Sequence, residues 1–182
     1  MLELSLNVLD IAQNSVVAGA TVVELTVTEE TARNRLTLTI RDNGCGMTPE
    51  QLARVRDPFF TTRTTRKVGM GIPLFRVAAE AANGSLDIES EQGVGTTVTA
   101  LFELRHIDRM PLGDMVGTVT TLIRLNPELD IVYRHTVDGE EFAFDTASLR
   151  PILGEVSLAE SEVMEWITAN LAEGVTALNS QA

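Results

Sequence analysis

The chain has 182 residues, 44% of them hydrophobic, so it is long enough to bury a hydrophobic core in one domain or slightly more. Its net charge of −12 disfavours non-specific nucleic-acid binding, and its single cysteine, Cys45, excludes an internal disulfide and a cysteine-based metal cage. Because no apolar run reaches the ~18 residues that span a bilayer and no signal peptide is recognisable, we expect a cytoplasmic protein without a membrane partner.

The first predicted element is an N-terminal helix over residues 2–18, in which leucine, isoleucine and valine recur at helical spacing. Asp10 and Asn14 are four residues apart in it, so their side chains face the same way. Polar residues on a helix usually form only its solvent-exposed face. The pair therefore matters for function only if it faces a site built elsewhere in the chain.

Two strands follow, and the second ends in the stretch around which the chain is organised. Residues 21–28 are rich in β-branched side chains, and after a turn at Asn34 residues 35–42 alternate between apolar and polar. The stretch Asp42-Asn43-Gly44-Cys45-Gly46-Met47 contains that strand's last residue. Its glycines let the backbone approach a flat ligand, and Asp42 can accept a hydrogen bond from an exocyclic amine. Considered alone, a strand-ending turn is the more ordinary explanation.

The next segment is predicted to contain a short helix followed by a long loop. Thr48 is a typical N-cap with a proline after it, and this helix ends near Val55. Residues 57–68 have neither helical nor strand periodicity, which is typical of a functional lid. Two further strands are predicted over residues 85–90 and 96–104.

This region is predicted to bind an anion, because it combines positive charge with free backbone N–H groups. Five basic residues lie within fourteen positions of an acidic protein: Arg54, Arg56, Arg63, Arg66 and Lys67. Gly69-Met70-Gly71 begins a helix over residues 72–82, whose N-terminal N–H groups and positive dipole end suit phosphate. A solvated basic loop is the alternative.

Residues 105–182 are predicted to form a small α+β appendage that packs on the first part or presents a partner surface. A helix is predicted over residues 111–124, and Asp138-Gly139 is a strong hairpin signal within residues 130–145. Ser157 and Glu160 have the spacing of a capping box before a final helix.

Together the residues before position 105 resemble the Bergerat-fold (GHKL) ATPase family, and within it the histidine-kinase-like ATPase domains. Four boxes occur in the family's order: Asp10-x-x-x-Asn14, Asp42-x-Gly44-x-Gly46, Asp57-Pro58-Phe59-Phe60-Thr61-Thr62 and Gly69-Met70-Gly71. Gly95-Thr96-Thr97 is similar to the family's threonine-bearing final strand. The chain is therefore divided into a histidine-kinase-like ATP-binding domain, 1–104, and the C-terminal region, 105–182.

The resemblance implies an α+β fold class, a two-layer sandwich with helices on one face of a mixed, mostly antiparallel sheet. It also implies that ATP and Mg²⁺ bind between the first helix and the lid. Asp42 would accept from the adenine amine, and Asn14 would ligate Mg²⁺, which takes other ligands from phosphates and water. The remaining nucleotide contacts would come from Gly44, Gly46, Phe60, Thr62, Arg63, Arg66, Lys67, Gly69, Gly71 and Thr97.

Two departures from the family pattern affect the predicted function. Asp10 stands where the hydrolysing members carry a glutamate general base, so ATP hydrolysis is expected to be slow or absent. No histidine-bearing dimerisation helix precedes the first box. We therefore predict a stand-alone ATP- and Mg²⁺-binding protein that acts through a protein partner in signalling or regulation, by phosphotransfer or slow hydrolysis. The alternatives are a non-catalytic, nucleotide-gated module resembling an anti-sigma factor and a MutL-like ATP-hydrolysing clamp; a homodimer stays open.

His106 begins a segment with the His-x-x-Arg-x-Pro-Leu spacing of a histidine-kinase phosphoacceptor box. Against that role, Ile107 replaces the usual acidic neighbour and Gly113 weakens a helix. We prefer an ordinary strand-to-helix loop at His106. His135, in a predicted hairpin strand, is interpreted as structural.

Overall fold

The computed structural model describes residues 3–56 and 71–182. Within these residues the helices are α1 (Leu4–Val17), α2 (Pro49–Arg56), α3 (Gly71–Ala81), α4 (Met115–Leu125), α5 (Arg150–Leu153) and α6 (Ser161–Ala177). The strands are β1 (Val22–Glu30), β2 (Arg35–Asp42), β3 (Ser85–Glu91), β4 (Gly95–Glu103), β5 (Asp130–Val137) and β6 (Glu140–Asp145). Among these helices, none has the length and apolar character needed to cross a membrane.

The strands form a single six-stranded sheet in the order β3-β4-β2-β1-β5-β6. Four of the neighbouring pairs are antiparallel, and only β1 and β5 run parallel. The predicted α+β class with a mixed, mostly antiparallel sheet is therefore confirmed.

One face of the sheet carries the hydrophobic core, because alternate residues of each strand point to the helices. On β1 and β2 the buried residues are Val23, Leu25, Val27, Leu36, Leu38 and Ile40. Leu4, Val8 and Ile11 of α1 are buried as well, and each side chain of this size stabilises the fold by about 1.5–3 kcal/mol. The residues between them on the strands, many of them threonines, are partly exposed. The helices therefore cover one face, as predicted.

The C-terminal region continues the same sheet and also holds the beginning of α1. β5 pairs along β1 from Val22 opposite Asp130 onwards. The carbonyls of Pro111 and Leu112 accept hydrogen bonds from the first two N–H groups of α1, at 3.0 and 2.8 Å. These N–H groups have no partner within a helix, so the segment before α4 takes the place of a side-chain cap.

Local turn chemistry confirms one C-terminal prediction and contradicts another. Asp138 and Gly139 both have positive φ, as a tight hairpin between β5 and β6 requires. The predicted capping box at Ser157 and Glu160 is wrong. The Ser157 hydroxyl accepts from the N–H of Ala159 within a turn, and α6 begins only at Ser161.

Candidate nucleotide site

Asp42, at the end of β2, is the fixed carboxylate of the candidate site. One of its oxygens accepts from the hydroxyl of Ser15, on α1, at 2.6 Å. The other accepts from the N–H of Gly44 at 2.9 Å. Because a carboxylate offers about four lone-pair positions, the half-buried group can accept further hydrogen bonds from a ligand. The sequence did not indicate Ser15, although it directly follows Asn14 on the helix.

Asn43 and the two glycines after it fix the loop that follows Asp42. The Asn43 side chain accepts from the N–H groups of Thr21 and Val22, each at 2.9 Å. A Cβ on Gly44 would lie 2.9 Å from the carbonyl oxygen of Ala18. Gly46 has φ of +64°, and a Cβ there would overlap the carbonyl oxygen of Glu91, the last residue of β3. The need for glycine at both positions therefore comes from the protein's own backbone.

Ser90 and Thr96 lie beside Asp42 on the helix-covered side of the sheet. Thr96 is the cross-strand partner of Asp42, and its hydroxyl lies 2.8 Å from that of Ser90. The Ser90 hydroxyl also accepts from the N–H of Met47 at 2.9 Å. Neither residue was singled out by sequence reasoning. The parity of β4 indicates Thr96, because it shares a face with the buried Val98.

Thr97, the predicted nucleotide contact, is placed on the other face of the sheet. It lies opposite Arg41, and directly paired residues of neighbouring strands point to the same side. Together they line a groove of about 870 Å³ with Thr39 and Glu24, and this groove extends to Asp42 and Thr96 at the end of their strands. The structure therefore brings Thr96, and not Thr97, next to Asp42.

Asp10 and Asn14 lie on the side of α1 that meets the beginning of α3. A Cβ added to Gly71 would lie 3.1 Å from the Cβ of Asp10, so the two helices touch there. Asn14 precedes Ser15, and neighbouring side chains of a helix are about 100° apart around its axis. Asp10 and Asn14 are thus on the same helix as Ser15, the residue that holds Asp42, and Gly71 of α3 packs against Asp10. The N-terminus of α3 also favours a negative charge.

Part of the predicted site lies outside the described residues. These positions are Phe60, Thr62, Arg63, Arg66, Lys67 and Gly69. Arg56, one of the basic residues that precede these positions, is described. Its Nε donates to the carbonyl of Ile88 on the edge strand β3 at 3.0 Å. Its guanidinium therefore protects a sheet edge.

His106 lies at the opposite end of β2 from Asp42. The residues just before it, Leu104 and Arg105, donate through their N–H groups to Asn34. From Asn34 to Asp42 the extended chain covers about 26 Å. The Nδ1 of His106 accepts from the N–H of Asp108 at 3.1 Å. This placement favours an ordinary loop at His106, because a nucleotide bound beside Asp42 would be too far away to phosphorylate His106 of the same chain.

The family model for histidine kinase-, DNA gyrase B- and HSP90-like ATPases matches residues 1–106. The chain therefore belongs to this family, and it contains a histidine-kinase-like ATPase domain. The Asp42 loop, α1 and the beginning of α3 all lie within the matched residues.

The chain is also similar to parts of bacterial sensor proteins. It is 37% identical over 97 residues to the sensor protein kinase FleS of Pseudomonas aeruginosa, covering 53% of this chain and 24% of that protein. With the sensor protein SrrB of Staphylococcus aureus it shares 38% identity over 79 residues, 41% of this chain and 14% of that protein. The chain thus spans less than a quarter of the length of these relatives.

Among solved structures, the N-terminal domain of a DNA repair protein has a similar fold. The TM-score is 0.54 at 13% sequence identity, and the match covers 79% of this chain and 52% of that one. Because this share of the chain is larger than the family-matched part, some of the C-terminal region lies within the structural match. At this identity the likeness concerns the fold alone.

Proposed function

We propose that the chain binds ATP with Mg²⁺ beside Asp42, along α1 and the beginning of α3, and acts through a protein partner in signalling or regulation. The observation that carries this proposal is the Asp42 carboxylate, which Ser15 and Gly44 hold with lone pairs left for an amine. A carboxylate accepts from the adenine amine but repels the carbonyl that guanine has at the same place. The family and the sensor-protein relatives support the same function.

The residues on α1 fit the phosphate end of such a nucleotide. Asn14 offers an amide oxygen, and Mg²⁺ prefers oxygen ligands while it keeps water and phosphate ligands of its own. Bound there, Mg²⁺ would neutralise phosphate charge. Asp10 lies one turn earlier, against the N-terminus of α3, where its carboxylate can orient a water molecule.

A second candidate function, a nucleotide-gated binding module without turnover, is favoured by the length of the Asp10 side chain. Aspartate is one methylene shorter than the glutamate of the hydrolysing members. The Cβ of Asp10 packs against Gly71 at the beginning of α3. Because of this contact, α1 cannot move toward α3 to bring the shorter carboxylate nearer to the phosphates. In this function ATP would change the partner-binding state without being consumed.

Replacing Asp42 with asparagine is expected to weaken ATP binding by about 10- to 150-fold. This range corresponds to the 1.5–3 kcal/mol of a hydrogen bond to a charged group. Titration calorimetry with Mg²⁺ should also show that the unaltered protein prefers ATP to GTP. Asp87→Asn, an exposed change on β3, is the matched control and should leave affinity unchanged. Equal affinities for ATP and GTP would contradict the proposed adenine contact.

Replacing Asn14 with alanine is expected to lower ATP affinity about tenfold in the presence of Mg²⁺, the lower range for loss of a metal-site partner. In EDTA the variant and the unaltered protein should bind ATP equally, because the lost contact is to the metal. Gln13→Ala, at the neighbouring position of α1, is the control. A loss of affinity that is the same with and without Mg²⁺ would show that Asn14 contacts the nucleotide itself.

A further inference from the structure

An apolar groove lies between α5 and α6 in the C-terminal region, and none of the residues that line it belongs to the Asp42 loop. It has a volume of about 290 Å³ and is lined by Leu149, Ile152, Leu153, Glu162, Val163 and Trp166. We call it the α5–α6 groove. Ile152 is 80% exposed and Trp166 is 54% exposed. Its volume is at the lower limit for ligand pockets, about 300 Å³, so it suits a few inserted side chains better than a whole small molecule.

The exposure of these side chains needs an explanation beyond ordinary surface composition. Single exposed apolar residues are normal, but contiguous ones around a groove usually mark an interaction site. On α6 the side chains that pack on the core are Met164, Ile167 and Leu171. Trp166 lies between them in sequence but faces the groove. Tryptophan is also the residue type that most often dominates binding energy at interfaces.

The charge around the groove has a single sign. Residues 151–182 contain five glutamates and no lysine, arginine or histidine. Glu162 lines the groove, and Glu155 and Glu165 are exposed close to it in the chain. The basic residue that precedes this stretch in the chain, Arg150, is bound to Asp130 at 2.7 Å and donates to two backbone carbonyls. The charged residue that lines the groove is therefore acidic, and so are the charged residues that follow Arg150 in the chain.

This charge decides among the classes of occupant. Nucleic acids and anionic membranes are repelled by the glutamates of this region. A second copy of the chain would bring the same glutamates against each other, which costs several kcal/mol when like charges meet at an interface. A helix with apolar residues on one face and lysine or arginine beside them fits both features, because its apolar side chains enter the groove and its basic side chains pair with the glutamates.

We propose that the α5–α6 groove binds a basic amphipathic helix of a partner protein. The apolar side chains of that helix enter between Ile152 and Trp166, and its lysine or arginine side chains meet Glu162 and the neighbouring glutamates. None of the residues that line the groove belongs to the proposed nucleotide site, so this inference does not depend on ATP binding.

Trp166 provides the measurement, because it is the only tryptophan in the chain. A panel of synthetic helices of about 18 residues, with leucines at different helical spacings and lysines beside them, is titrated into the full chain without nucleotide. At least one basic helix should shift the Trp166 emission to shorter wavelength in a saturable way. The same helices with glutamate in place of lysine should cause no shift. Binding should weaken as salt is raised.

Three variants test where the helix binds. Ile152→Asp and Glu162→Lys should each weaken binding by about tenfold or more. Ile107→Asp is the matched control, since Ile107 is 94% exposed but lies in the β4–α4 loop. Circular dichroism checks that all three fold. The proposal is overturned if no basic helix shifts the emission, if acidic helices bind equally, or if Ile152→Asp and Glu162→Lys leave binding unchanged. Sedimentation that shows self-association through the groove, abolished by Ile152→Asp, also overturns it in favour of a second copy.

Discussion

Replacing Asp10 with asparagine is expected to lower ATP turnover by about 10²–10⁴-fold while leaving ATP affinity nearly unchanged. Asparagine keeps the shape of the side chain, so its contact with the beginning of α3 is preserved. It cannot accept a proton from water, and the general-base contribution is lost. Phosphate release and calorimetry, measured on the same samples, separate the two quantities.

A second variant, Asp10→Glu, tests whether the length of the side chain limits turnover. If a short carboxylate holds water too far from the terminal phosphate, the added methylene should raise turnover above that of the unaltered protein. Asp87→Asn again serves as the control, because Asp87 is an exposed aspartate on β3 that pairs with Arg56 and not with α1. Turnover that is undetectable in the unaltered protein and in Asp10→Glu would contradict the enzyme function. The nucleotide-gated module would then be the better description.

Within residues 3–56 and 71–104, the helices and strands were predictable from sequence because their signals are local. The alternation of Leu36, Leu38 and Ile40 fixes both the extent of β2 and the side of the sheet on which Asp42 lies. Thr48 and Gln51 bond to each other's backbone N–H groups at the beginning of α2, as capping chemistry predicts. Such features depend on residues three or four positions apart, so the sequence displays them directly.

The supporting contacts of the site were missed because they depend on tertiary register. Ser15 reaches Asp42 across 27 positions of sequence, and Ser90 reaches Met47 across 43. A serine on a helix or strand has no distinctive local signal. Only the pairing of β4 with β2 shows that Thr96, and not Thr97, is the neighbour of Asp42.

The role of the C-terminal region was the least predictable part of the fold. Its hairpin was predicted, but its parallel pairing with β1 joins residues more than 100 positions apart. The bonds from α1 to Pro111 and Leu112 are made by backbone carbonyls, which carry no side-chain signature. Nothing in the local pattern distinguishes a region that extends the sheet from one that packs on it.

A buried polar network at the far end of β1 ties this region to the sheet. Glu29 and His135 are fully buried, and Glu29 Oε1 lies 2.8 Å from His135 Nε2. The Ser180 hydroxyl and the Gln181 N–H also donate to Glu29, at 2.6 and 2.8 Å. Burial, and then the charge of Glu29, raises the pKa of Tyr133, so its phenol stays protonated. It can donate to His135 Nδ1, 3.0 Å away, which leaves Nε2–H to donate to Glu29.

Replacing Glu29 with alanine is expected to lower the free energy of unfolding by about 3–5 kcal/mol, because the fold loses several hydrogen bonds to a buried charged group, each of which contributes about 1.5–3 kcal/mol. Burial by itself raises the Glu29 pKa, but the hydrogen bonds from His135, Ser180 and Gln181 outweigh it and hold the pKa below its usual value of 4.5. The charged form therefore stabilises the fold fully above pH 4.5, and this contribution is lost as pH falls through the lowered pKa.

Urea unfolding should show a difference between the unaltered protein and Glu29→Ala that is constant near neutral pH and shrinks below pH 4.5. Glu24→Ala, on the open face of the same strand, should cost less than about 1 kcal/mol. A Glu29→Ala effect as small as that of Glu24→Ala would show that the network contributes little to stability.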